Sequence, residues 1–400
     1  MTEPDRSWTH AILPFTNGWN KINTQLTEKS NHMFTAPTNW SVETMRAAQF
    51  DSARGPVRVR EVPIPEIDEA DALVRVVACG ICRSDWHVWN GDWEWFGVKR
   101  PLPSVLGHEI GGVVEKVGSS VKRVQPGMRV TIPFHLACGY CPCCRRGEQN
   151  LCDNRIFPHS TPGSGGWAQY MRAPNADLNC VPLPEGVDEM AAASLGCRYM
   201  TAWRAIQSKG GMRGGEIAAI FGCGGIGLAA TEIASTLGVR VIAVDIDEVK
   251  LCRARELGAS ETVNASHAKP EEIGTAIKNL TENGAGVDLA LDALGNSATV
   301  VAGLYSLRRG GRLSQVGLTS QEDKGNISVP MDMIVCNELQ IRGSFGNPQS
   351  GYAELFRLVA SRRLRPTALV SREVGLEDVD SVLRDMDTFK TLGYVIVTKF

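Results

Sequence analysis

A chain of 400 residues, 43% hydrophobic and 22% charged, is longer than one hydrophobic core ordinarily serves, so two domains are expected. Its 42 lysines and arginines against 44 aspartates and glutamates leave a net charge of −2, which argues against a nucleic-acid or anionic-membrane partner. No segment approaches the roughly 20 apolar residues of a membrane span, and no secretory leader pattern opens the chain, so a cytoplasmic protein is expected.

Residues 1–44 are rich in Asn, Thr and Ser without periodicity and read as an N-terminal extension. From Met45 onward, short valine-rich runs broken by Pro and Gly (Val57 to Val62, Ala72 to Val77, Gly112 to Val117, Arg129 to Ile132) predict an antiparallel β domain over 45–197. Over 198–344 the rhythm changes to apolar strands separated by helix-length segments, the βα alternation of a parallel sheet. The predicted strands are Glu216 to Phe221, Arg240 to Asp245, Glu261 to Ala265, Val287 to Asp292, Arg312 to Val316 and Leu339 to Arg342. Residues 345–400, closing on an apolar run from Tyr394 to Val397, fit no further repeat and are expected to return to the first domain.

Twelve cysteines could signal disulfides, but Cys138, Cys141, Cys144 and Cys152, spaced x2, x2 and x7 in a Gly/Pro-containing loop, have the number and closeness of a closed structural zinc site. Cys143 is left over. A dispersed set, Cys82, His108 and Cys197, sits in glycine-flanked turns and offers the three ligands of a catalytic zinc with one open position. Each of the three taken alone also reads as an ordinary core cysteine or a satisfied buried histidine, and periodicity does not join them.

Gly222, Gly224, Gly225 and Gly227 follow a predicted strand and open a predicted helix from Ile226 to Leu237, the setting in which a glycine fingerprint binds a dinucleotide pyrophosphate. Asp245 lies 18 residues past Gly227 at the end of the next strand, where a carboxylate accepts hydrogen bonds from the adenosine ribose and repels a 2′-phosphate. NAD is therefore expected over NADP, with Arg253 and Arg255 as the residues that could reverse the preference. Val316, closing its predicted strand, is placed in the same cofactor site.

In the order and spacing of these motifs the chain, from about Met45 to its end, resembles the medium-chain zinc-dependent alcohol dehydrogenases. The resemblance implies an α/β protein, with a GroES-like β-rich catalytic domain and a Rossmann domain with a doubly wound parallel sheet. It implies that Cys82, His108 and Cys197 bind the catalytic one of two zinc ions, that Glu109 stands behind that metal and that Asp85 orients His108. Ser84 then touches the alcohol, and His87 ends a proton relay through the cofactor ribose. Arg83 meets the pyrophosphate, Thr201 and Ile226 pack the nicotinamide, and Lys250 contacts the adenosine ribose. Trp89 and Trp93 resemble tetrameric microbial members in which the second tryptophan lines the substrate pocket; Phe134 and His135 are expected in its wall.

The implied activity is reversible oxidation of a small alcohol to an aldehyde or ketone, with NAD as hydride acceptor, by a homo-oligomer (tetramer or dimer) joined near Leu339. A polyol dehydrogenase of the same superfamily is the nearer alternative, although those enzymes usually carry glutamate where Cys197 stands. A non-catalytic zinc protein on this fold is the more distant one, and the presence of Ser84 and His87 argues against it. The sequence departs from the family at Gly393-Tyr394-Val395, where an arginine often stands as a second pyrophosphate partner, which puts more of that burden on Arg83.

Overall fold

A computed structural model describes residues 43–98, 101–158, 161–319, 323–389 and 391–400. The N-terminal extension, except for its last two positions, lies outside the described residues. The chain from β1 (Thr44–Phe50) through β2 (Arg58–Pro63), β3 (Ala72–Ile81), β4 (Ser104–Val105), β5 (Glu109–Val117), β6 (Arg129–Ile132), β7 (Tyr170–Ala173) and β8 (Val181–Pro182) is strand-rich. It continues through β9 (Ile217–Phe221), β10 (Arg240–Asp245), β11 (Glu261–Asn264), β12 (Val287–Asp292), β13 (Leu307–Gln315) and β14 (Gln340–Gly343), then β15 (Val370–Gly375) and β16 (Tyr394–Lys399).

β9 to β14 form one parallel sheet in the order β11-β10-β9-β12-β13-β14. This is the doubly wound Rossmann order, and its direction reverses between β9 and β12, so a crevice opens at the carboxyl ends of those two strands. The central strands are apolar throughout because both faces are covered: Ala218, Ile220 and Val241 pack into one core with Trp203, Ile233 and Tyr394, while Ala219, Ile242 and Ala290 pack into another with Ile277 and Val300. The predicted strands coincide with the observed ones to within a residue, except that β13 begins at Leu307, five residues before Arg312. A register shift opposite Val287 and Leu289 lets Leu307 pair early.

The remaining strands make a mainly antiparallel body of two sheets, β2-β1-β4 and β15-β16-β3-β5-β6-β8, and in the larger one β3 is flanked by β5 on one side and by β16 and β7 on the other. The register Val395↔Ile81 brings the last strand beside the residue that precedes Cys82. β16 also pairs parallel with β15. The side chains of this body that face inward, among them Val74, Ile110, Val130, Trp89 and Trp167, form a separate core.

Candidate metal and cofactor site

Cys82 ends β3, and the helix Arg83–Asn90 begins immediately after it. Asp85, in the third helical position, accepts the Cys82 amide at 2.9 Å with Oδ2, which caps the helix, and accepts from His108 Nδ1 at 2.8 Å and from the Gly107 amide at 3.1 Å with Oδ1. All of Asp85 is buried. The histidine is thereby fixed in the tautomer whose Nε2 faces the cysteines. His108 is delivered by the turn before β5, and Gly107 there holds a left-handed φ of 91° against Trp167, which a side chain would strike.

Cys197 comes from the helical segment after Glu189–Ser194. Leu195–Tyr199 widens into a π-helical turn with Gly196 far from helical dihedrals, and a Cβ on Gly196 would lie 2.4 Å from that of Glu109. Such turns re-aim side chains at functional sites, and here the turn carries Cys197 onto the other two residues. One ligand atom each from Cys82, His108 and Cys197 lies within 4.8 Å of the others, all three buried. Two thiol sulfurs and an imidazole nitrogen converging at that separation fit a zinc ion with a fourth position left open.

Glu109 lies directly behind. Its Oε1 accepts the amides of Cys197 (3.1 Å) and Arg198 (3.0 Å) and the Arg198 Nε (3.0 Å), and its Oε2 accepts Arg198 Nη2. Burial raises the pKa of this carboxyl above the usual carboxylate range, with the Arg198 guanidinium opposing the shift. Arg198 is the residue the sequence did not single out. Its guanidinium lies 3.8 Å from the centre of the Tyr394 ring, and Tyr394 donates from its hydroxyl to the Gly225 carbonyl.

Phe134 packs against Cys82 and Cys197 together with Phe157 and Phe345, two aromatics that no sequence motif marked. Trp93 sits elsewhere: it stacks on His87 at 4.7 Å, while Trp89 is a fully buried core residue donating to the Gly55 carbonyl. His87 holds Asp92 through Nδ1 at 2.8 Å, and burial between Trp86 and Trp93 lowers its pKa despite that carboxylate. Ser84 is half-buried on the same helix, three residues before His87 and hence on the same face. His135 is buried beside Phe134, and its pKa is pushed down to about 3 by burial and by Arg155 and Arg204.

The second cluster is compact. Sγ separations of 3.5 Å for Cys138 and Cys152, 3.8 Å for Cys141 and Cys152, and 4.0 Å for Cys138 and Cys144 bracket the edge of about 3.8 Å that a tetrahedron with Zn–S near 2.3 Å requires. Amides of Cys138 and Cys144 donate to these sulfurs at 3.4 Å, which favours thiolates. Cys143 turns toward Asp153 and takes no part. Four sulfurs fit a zinc ion closed to water.

The glycine loop leaves β9 at Gly222, whose φ is 90°, and Gly227 packs so close to the Gly222 carbonyl that any side chain would clash. The helix Gly225–Thr236 starts there, with Ile226 partly buried against the sheet core. Asp245 is pre-set beside the loop: Oδ2 accepts the Cys223 amide at 2.6 Å and Oδ1 the Asp247 amide at 3.0 Å. Lys250 is half-buried on the next helix, and Thr201 is buried one turn past Cys197. Val316 follows β13 and donates its amide to the Asp292 carbonyl.

Arg83, expected at the pyrophosphate, lies over Trp86 at 3.7 Å and Phe389 at 4.3 Å and donates to the Met386 carbonyl. Arg253 and Arg255 are engaged as well, the first with Glu256 and the Ala368 carbonyl, the second with Glu248 and Thr262.

Comparison with known proteins agrees with this geometry. Residues 68–185 match the alcohol dehydrogenase GroES-like domain, and residues 225–361 match the zinc-binding dehydrogenase domain. An alcohol dehydrogenase of Geobacillus stearothermophilus is 31% identical over 358 residues, 88% of this chain and 98% of that protein. A probable D-xylulose reductase A of Emericella nidulans is 32% identical over 343 residues, covering 85% of this chain and 93% of the relative. The solved alcohol dehydrogenase of Thermus sp. ATN1 superposes with a TM-score of 0.79 at 34% identity, over 89% of this chain and all of that one. The chain belongs to the medium-chain zinc-dependent alcohol dehydrogenase family.

Proposed function

We propose that the protein oxidises a small alcohol to an aldehyde or ketone, reversibly, with NAD rather than NADP and with two zinc ions per chain, one held by Cys82, His108 and Cys197 and one by the four-cysteine loop. The observation that carries this reading is the convergence of Cys82, His108 and Cys197 beneath an aromatic wall of Phe134, Phe157 and Phe345.

When bound, the zinc supplies Lewis acidity that lowers the pKa of an alcohol, and the nicotinamide supplies the hydride acceptor. The chain's own residues do the rest. Asp85 fixes the His108 tautomer, and Ser84 accepts the hydroxyl proton, which His87 passes to water. The low pKa of His87 keeps it a free base able to take that proton at neutral pH. The apolar wall excludes water from the carbon that loses hydride. Thr201, Ile226 and Val316 would flank the nicotinamide, the glycines and Arg83 the pyrophosphate, and Asp245 and Lys250 the adenosine ribose. Two backbone amides already orient the Asp245 carboxylate, and the engagement of Arg253 and Arg255 with other partners supports NAD over NADP.

A polyol substrate is the second reading, favoured by the likeness to the D-xylulose reductase and opposed by sulfur at Cys197. Trp93 as a pocket residue has less support than Phe134, because it packs on His87. A dimer or tetramer is proposed through β14, an edge strand that exposes Ile341, the helix before it exposing Met331 and Val335. No described helix is long and apolar enough to cross a membrane, which is in keeping with a cytoplasmic location. The reading is tested by NADH formation across primary, secondary, aromatic and polyhydroxy alcohols. Turnover of polyols alone would replace the first reading with the second.

A further inference from the structure

The phosphate geometry of the loop accounts for Gly222, Gly224 and Gly227 and leaves Gly225 without a reason. The structure supplies one. A Cβ on Gly225 would lie 2.6 Å from Cδ of Arg198 and 3.2 Å from the Tyr394 ring, whereas a Cβ on Gly224 would meet nothing within 4 Å. The loop therefore faces open space on one side and the arm of Arg198 on the other.

That arm is built in. Arg198 is 5% exposed, its Nε and Nη2 are bound by Glu109, and its plane rests on Tyr394, which is itself tied to the first residue of the helix. Its third nitrogen, Nη1, donates to no described residue and is not among the fully buried unpartnered atoms. A guanidinium held on one edge by Glu109 and on one face by Tyr394, on an arm whose Cδ lies against Gly225 at the amino end of the helix Gly225–Thr236, keeps donors that can serve an anion. Arg83, by contrast, is turned onto two aromatic rings and a carbonyl.

We propose that Arg198 is a cofactor-contacting residue, the fixed cation that meets the dinucleotide pyrophosphate from beneath the glycine loop while its other edge holds Glu109 against the Cys197 turn. This rests on the dinucleotide reading above. One guanidinium then joins the phosphate site to the carboxylate behind the metal ligands, so the cofactor cradle and the Cys197 turn share a rigid part.

The test is binding, read by calorimetry without turnover, of NADH, ADP-ribose and AMP. ADP-ribose keeps the pyrophosphate and lacks nicotinamide; AMP keeps the adenosine and lacks the pyrophosphate. Arg198→Met is expected to weaken NADH and ADP-ribose about tenfold or more and to leave AMP within about twofold, because only a charge-assisted phosphate contact is removed. Arg198→Met alone leaves Glu109 buried and uncompensated, so the same comparison is made between the wild type and Glu109→Gln/Arg198→Met, in which neither charge is left unpaired. Unchanged ADP-ribose affinity in the folded double variant, or equal losses for ADP-ribose and AMP, would overturn the proposal. Failure of the wild type to bind any of the three would instead overturn the dinucleotide reading on which it stands.

Discussion

Asp85 and His108 meet through a 2.8 Å contact between Oδ1 and Nδ1, with both side chains buried and the other Asp85 oxygen closing the helix that begins after Cys82. One carboxylate thus sets the positions of two residues proposed as ligands. Asp85→Asn keeps the size but loses the charge, and outer contacts of this kind typically contribute about 10 to 100-fold to metal affinity. The expected outcome is loss of one zinc per chain on dialysis against a mild chelator, the four-cysteine metal staying bound. Elemental analysis before and after dialysis checks it; equal retention in variant and wild type would show that Asp85 serves the helix alone.

The two cysteine sets should fail in different ways. Cys82→Ser is expected to abolish turnover while leaving the thermal midpoint nearly unchanged. Cys141→Ser is expected to lower that midpoint, because a structural zinc contributes folding free energy directly. Thermal melts and rates measured on the same preparations separate the two, and identical behaviour of the variants would contradict the division of roles.

His87 should matter most on the acid side of neutrality. Its pKa lies below the ordinary histidine range because burial outweighs Asp92, so in the wild type the free base persists as pH falls toward that value. His87→Gln should reduce turnover at low to neutral pH by about 10²-fold or less, since water can bypass a relay end that keeps some exposure, and added imidazole should restore part of it. A pH-rate profile unmoved by the substitution would remove His87 from proton transfer.

His135 gives a stability prediction with a definite sign. The folded chain holds it near 3 against an ordinary value of 6.5, so protons bind the unfolded chain more readily. The stability it contributes is complete above pH 6.5 and is lost as pH falls toward 3, at about 1.4 kcal/mol for each unit of separation. His135→Leu should flatten the dependence of the urea midpoint on pH across that window. An unchanged slope would mean that His135 is not the group that titrates.

Cofactor choice should reside at Asp245. Its two oxygens are already aimed by the amides of Cys223 and Asp247, so loss of the carboxylate removes a preset acceptor. Asp245→Ala is expected to weaken NAD roughly tenfold or more and to relieve the barrier to NADP. The comparison is kcat/KM for both cofactors, and a preference that does not move would place the adenosine site on other residues.

Much of this was legible from residue order. β9, β10 and β12 are apolar runs bounded by glycine or a terminal aspartate, so both their existence and their limits show in the sequence. The four-cysteine loop is local, and its spacing nearly determines its geometry. Cys82, His108 and Cys197 are far apart in the chain and were joined only by likeness to a family. Arg198 carries no mark in the sequence, where an arginine reads as solvated by default, and only the π-helical turn at Leu195–Tyr199 turns it inward to Glu109. Phe157 and Phe345 come from irregular segments with no period to mark them. Tyr394, expected only as the loss of a charge, is the platform on which Arg198 rests.

The central claim is most directly tested by following NADH formation from NAD and a small primary or secondary alcohol by the zinc-loaded protein, beside its Cys82→Ser variant. The wild type is expected to produce NADH steadily and to react much more slowly with NADP, and the variant to show none above background while still binding ADP-ribose with wild-type affinity. Turnover that survives in Cys82→Ser, or a folded, zinc-loaded wild type that oxidises no alcohol with either cofactor, would contradict it.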